Sequence, residues 1–232
     1  LTGMIDLSVG SVMAVSGVVS VSVYKIAGSM ILAIAVGIAV AVVCSAINGL
    51  VVTKLSVPPF IATLGMLTVA RGVSLLYTNG QNIYQIGDYK FLGQGSIGEI
   101  PIPIIFMLLV TVAMWYILNH TPFGRYCYAI GGNEEAARAS GVNIHKTKIM
   151  AYIVSGVLVG LAGVLFMSRV NAGLPNAGIG YELDTISISV IGGASTAGGS
   201  GSAMGTLCGA FIIGILDNIM NLLGVQSYVQ QI

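Results

Sequence analysis

The chain has 232 residues, 56% of them hydrophobic and only 7% charged, and its formal net charge is +1. So little polar surface cannot cover a soluble domain of this size, so the chain reads as an integral membrane protein. No basic run with interleaved aromatics occurs, which excludes nucleic acid as a partner.

The 32 glycines and six prolines fit membrane helices that pack through small residues and break at intervals. The expected fold is therefore all-α: a polytopic transmembrane helix bundle with broken or re-entrant helices, forming a single domain over residues 1–232. The chain opens LTGMIDLSVG, without an initiator Met, a charged leader or a cleavage site, and closes SYVQQI. Both ends read as cuts inside a longer protein.

A membrane crossing takes about 20 apolar residues as helix. Residues 7–24 and 29–52 make the first two predicted spans, separated by Lys25 and Gly28 and followed by Lys54. Pro58 and Pro59 break the chain, and 60–77 is apolar except for Arg71 and scattered Thr and Gly. The pattern leaves open whether this is a full span or partly re-entrant. Residues 78–101 form a polar loop, followed by a span over 102–118 whose Trp115 and Tyr116 suit a membrane interface.

Residues 119–148 are the polar anomaly, holding Arg125, Arg138, Lys146 and Lys148 and the adjacent pair Glu134–Glu135. Basic residues near span ends favour the cytoplasm: this segment carries four and the 78–101 loop only Lys90, so the segment and Lys54 fall inside, and Lys25, which then falls outside, is the one exception. Within it, NEEAARASG has an N-cap in Asn133, acids in the first turn and a stop at Gly141, which predicts a short amphipathic helix. By pattern alone that helix could be no more than a solvated connector.

A span over 149–167 follows, then the loop RVNAGLPNAGIGYELD and a run over 185–191 too short to cross alone. That run reads as a half-helix or as part of a longer crossing. A glycine-rich stretch and a last span over 203–223 complete the chain. GGASTAGGSGSAMG lacks the Lys of a GxxxxGK[ST] phosphate loop, so the chain is not expected to hydrolyse ATP.

Ionisable groups inside membranes usually face an interior or a pathway. Asp6 and Asp184 read either as caps of the helices they precede or as pathway groups. Asn48, Asp217, Asn218 and Asn221 read equally as hydrogen-bonding partners for a passing solute or as bonds between helices. Arg71 reads as paired with an acid or snorkelling. Gly156 with Gly160, and Gly201 with Gly205 and Gly209, form small-xxx-small steps and read as packing seams. Cys44, Cys127 and Cys208 are odd in number and far apart, and read as packing residues; His120 and His145 lack metal-ligand spacing. No metal site and no catalytic constellation is expected.

Glu135-Ala136-Ala137 followed by Gly141 resembles the EAA-type loop of ATP-binding-cassette importer permeases. FGRYCYAIGGNEEAARASGVNIHKTKI, IDLSVGS, PPFIATLGM, YTNG, GYELDTISISVIGGAS and NLLGVQSYVQQI together resemble the ribose-type sugar importer permeases along nearly the whole chain. The resemblance implies a permease subunit in the bacterial plasma (inner) membrane, translocating ribose or a related monosaccharide. It implies a second permease copy in a homodimer, an extracytoplasmic sugar-binding protein, and a cytoplasmic ATPase subunit that carries the ATP and Mg; this chain itself would hold no cofactor. It also makes the helix of Asn133, Glu134, Glu135, Ala136, Ala137, Arg138 and Gly141 a coupling helix that docks on the ATPase. The alternative class is an ion-coupled secondary transporter or channel using Asp6, Asp184 and Asp217.

Overall fold

The computed structural model describes residues 1–226. The expected all-α polytopic bundle is what the chain forms, and six helices are long and apolar enough to cross a membrane. They are α1 (Val9–Ala27), α2 (Met30–Lys54), α3 (Pro59–Thr78), α5 (Ile102–His120), α8 (Ile144–Val170) and α10 (Ala203–Leu222). Between them lie α4 (Phe91–Gln94), α6 (Pro122–Gly132), α7 (Glu134–Ala139) and α9 (Tyr181–Ile191), with a two-stranded hairpin of β1 (Ser96–Ile97) and β2 (Ile100–Pro101).

Helix ends follow local chemistry. Ser29, Asn143 and Ser202 cap α2, α8 and α10, each side chain accepting a backbone N–H of the first turn. Pro59 opens α3, where its missing N–H costs nothing. Gly28 (φ +66°) ends α1 in the left-handed region that glycine enters freely.

α1 is the centre of the bundle. Its Val12, Ala14, Val15, Val18 and Val21 are buried, and α2, α3 and α8 pack around it. α2 and α8 meet through small residues: a methyl group on Gly160 would stand 2.7 Å from Ile38 Cα, and one on Gly156 would stand 2.9 Å from Ser45 Cβ. These are helices in backbone contact, as membrane packing favours. α10 touches α9 and α5 and leaves most of its apolar surface exposed.

Two crossings are broken. Residues 1–8 run as irregular backbone up to the start of α1. Two of their backbone N–H groups are satisfied by side chains, Thr63 Oγ1 accepting from Leu7 N (3.1 Å) and Asp6 Oδ1 accepting from Ser8 N (2.8 Å). The second break is the loop 171–180, which folds back from the C-terminal end of α8 until Gly178 meets Gly10. α9 starts there as an 11-residue half-helix. α3 is continuous over 20 residues, so the choice left open for it resolves to a full-length helix.

Several boundaries differ from the sequence reading for physical reasons. Residues 122–132 form α6, capped by Thr121, where the sequence showed only a polar connector. α8 begins five residues before the expected span because Asn143 caps it. The loop 78–101 is not merely polar: Tyr89 is fully buried, its hydroxyl 2.7 Å from Ser20 Oγ, and Ser168 Oγ donates to its carbonyl at 2.6 Å. Burial pushes the Tyr89 phenol up to about 12.

Candidate functional site

Two regions each gather several of the polar side chains singled out above. The first is the end of the bundle that carries α6 and α7, together with Lys54 and Pro58.

α7 is six residues long and is held from three sides. Asn133 Oδ1 accepts from Ala136 N at 2.9 Å, capping its start. Gly141, at φ +83°, turns the chain away after Ser140, a conformation that costs other residues about 1–2 kcal/mol. Beneath it, Ala137 is buried with Ile130 and Ile144 in a small apolar cluster. Of the two alanines of the EAA-like motif, then, only Ala136 lies on the exposed face.

The acids of this motif have different surroundings. Lys148 Nζ donates to Glu134 Oε2 at 2.7 Å, and Arg138 approaches Glu134 at 3.5 Å, so Glu134 braces α7 against the first turns of α8. Glu135 projects outward, its side chain 80% exposed, with Arg138 at 3.5 Å. The outward surface thus consists of Glu135, Ala136, Arg138 and Ala139. The sequence does not show this pairing, because Lys148 lies fourteen residues from Glu134 and their meeting depends on how α8 follows Gly141. In the same region the Cys127 thiol of α6 is buried, which pushes it up to about 11.

The second region lies where the two broken crossings meet. Asp6 Oδ1 also accepts from Ser8 Oγ at 2.6 Å, and Asn48 Nδ2 donates to Ser8 Oγ at 3.0 Å. Asn48 is 1% exposed, so it ties α2 to the head of α1, which is the bonding role among its two readings that the geometry displays. Arg71 has neither of its expected arrangements as the main one: it donates to the carbonyls of Pro175 (2.8 Å) and Ala177 (2.7 Å). It pins the folded-back loop to α3, and Ser74 adds a bond to Pro175 at 3.3 Å.

The remaining candidates are not gathered with Asp6 and Asn48. Asp184 lies exposed in the first turn of α9. Asp217, Asn218 and Asn221 lie on the exposed surface of α10, toward its far end. Gly205 and Gly209 pack α10 against Gly192 and Ile188 at the end of α9. Gly201 precedes the cap Ser202 and has φ +142°, so the step it was expected to begin is not on the helix. The free cysteines differ in burial: Cys127 is buried, Cys44 intermediate and Cys208 exposed.

Asp6 stands between two cavities. One, of about 220 Å³, lies between residues 1–6 and α9 and is lined by Thr185, Ser189, Ser195 and Thr196. The other, of about 260 Å³, is more apolar and lies toward α5, α6 and α8. Tyr152 lines it, and its buried hydroxyl has no hydrogen-bond partner among the described residues.

The whole chain, residues 1–232, matches the family described as branched-chain amino acid transport system / permease component. It is 46% identical over 237 residues to the ribose import permease protein RbsC of Escherichia coli (strain K12), covering 100% of this chain and 74% of that protein. It is 45% identical to the ribose import permease protein RbsC of Bacillus subtilis (strain 168), covering 99% and 72%. It is 37% identical to the D-allose transport system permease protein AlsC of Escherichia coli (strain K12), covering 99% and 71%. No solved structure matches the chain.

Proposed function

The chain belongs to the branched-chain amino acid transport system permease component family, and from its similarity to sugar permeases within that class of protein we propose that it moves a monosaccharide of the ribose type. It is a multi-pass membrane permease subunit and not an enzyme. The sugar assignment rests on similarity to ribose and D-allose permeases, which outweighs the amino acid named in the family's description.

A permease of such an importer works with an ATPase subunit and a substrate-binding protein. The finer arrangement is our reading: α7 docks into the cytoplasmic ATPase, and two permease copies assemble as a homodimer. The exposed, capped and braced α7 carries this reading. A short helix standing free on a solvated end, yet tied to α8 through Lys148–Glu134, can receive a push and pass it into a 27-residue membrane helix. Glu135 and Arg138 would set register at the rim, where charges give specificity more than affinity. ATP and Mg would be bound by the partner ATPase alone.

Ribose uptake into vesicles carrying the complete transport system tests the reading. Uptake should stop on ATP depletion and survive collapse of the ion gradient. Uptake that survives ATP depletion but collapses with the gradient would contradict it.

A further inference from the structure

The cavity between residues 1–6 and α9 has walls of a particular kind. One wall is unwound backbone with the Asp6 carboxylate; the other is a helix face with Thr185 and Ser189 one turn apart. Both hydroxyls spend their protons inside α9: Thr185 Oγ1 donates to Glu182 O at 3.0 Å and Ser189 Oγ donates to Thr185 O at 2.8 Å. Each therefore presents acceptor lone pairs to the cavity. Asp6 Oδ1 is engaged by Ser8, while no hydrogen bond reaches Oδ2 among the described residues.

We propose that this cavity is a transit site for a small neutral polyol, with Asp6, Thr185 and Ser189 accepting hydrogen bonds from its hydroxyls. The proposal rests on the permease reading above and deepens it by locating the solute. A ligand rich in O–H donors matches walls rich in acceptors. An amino acid matches only in part: its ammonium could pair with Asp6, but its carboxylate would meet no Lys, Arg or His side chain among the described residues that line the cavity. A volume of about 220 Å³ lies below the roughly 300–1,000 Å³ of drug-sized pockets and suits a small ligand. The few partners keep binding weak, as passage requires. Arg71 holds the loop that precedes α9 by donating to the carbonyls of Pro175 and Ala177.

The test uses the complete transport system in proteoliposomes, with radiolabelled ribose as the probe. Ser189→Leu fills the cavity and removes an acceptor. Uptake should fall at least about tenfold, the scale of an unpaired polar group, while ATP hydrolysis stimulated by the sugar-loaded binding protein stays within about twofold of wild type. Uptake equal to wild type overturns the site, and so does a parallel loss of uptake and hydrolysis in an intact complex. The near-isosteric double variant Thr185→Val, Ser189→Ala repeats the measurement without bulk; full uptake with both acceptors removed also overturns it. Wild-type uptake of leucine in place of ribose would overturn the sugar reading and the site together. ATP-driven ribose uptake indifferent to these variants sinks the site alone.

Discussion

Gly160→Ala probes the seam on which the bundle rests. The added methyl group would lie 2.7 Å from Ile38 Cα and 3.1 Å from Ala41 Cβ, where ordinary contact begins near 3.4 Å. The first obstacle is backbone and cannot rotate away, so α2 and α8 must separate. Overpacking of this kind costs about 1–3 kcal/mol, and a chain of this length loses about 2–4 °C of melting temperature per kcal/mol. Gly65→Ala on α3 is the control, since a methyl there meets nothing within 4 Å and helix propensity favours Ala by up to about 1 kcal/mol. Thermal unfolding of the purified protein in detergent should show Gly160→Ala melting several degrees below wild type, with Gly65→Ala at or above it. Equal melting of the two variants would refute the close α2–α8 contact.

Arg71→Leu leaves the carbonyl of Ala177 without its donor and that of Pro175 with Ser74 alone, at about 1–3 kcal/mol for the orphaned group. The loop 171–180 should become cleavable by external protease, and a protected loop would show that Arg71 is not the pin. Asn133→Ala removes the cap bond to Ala136 N, worth about 1 kcal/mol; hydrogen exchange at the Ala136 amide should rise about fivefold, and unchanged exchange would mean α7 is held without its cap. Cys127, with its thiol pushed up to about 11 by burial, is about 0.1% thiolate at pH 8. Maleimide should therefore label it far more slowly than an unperturbed cysteine, with labelling rising as pH approaches 11; fast labelling at pH 8 would contradict its burial.

Much of the bundle was legible because apolar run length and helix caps are local signals. Asn133, Gly141 and the acids between them announced α7, and the spans were readable from hydropathy. What escaped depends on distant pairs. Tyr89 is buried by Ser20 and Ser168, which no window around Tyr89 contains. α6 was hidden because its polar residues match those of a loop, although Thr121 and Pro122 form a legible start. The unwound stretch 1–8 and the pin at Arg71 were unreadable, since their hydrogen bonds run to α3 and to residues more than a hundred positions away. The glycine spacing pointed to close approach but not to its partner, and Gly201 shows that spacing without helix makes no seam.

The central claim is that α7 is the contact through which an ATPase drives this permease. A cysteine at Ala136, on the exposed face, should cross-link to the ATPase subunit in membranes holding the complete transport system. Glu135→Arg and Gly141→Trp should each abolish both that cross-link and ATP-driven uptake while the permease stays in the membrane. Cross-linking and uptake that survive both substitutions would contradict the claim.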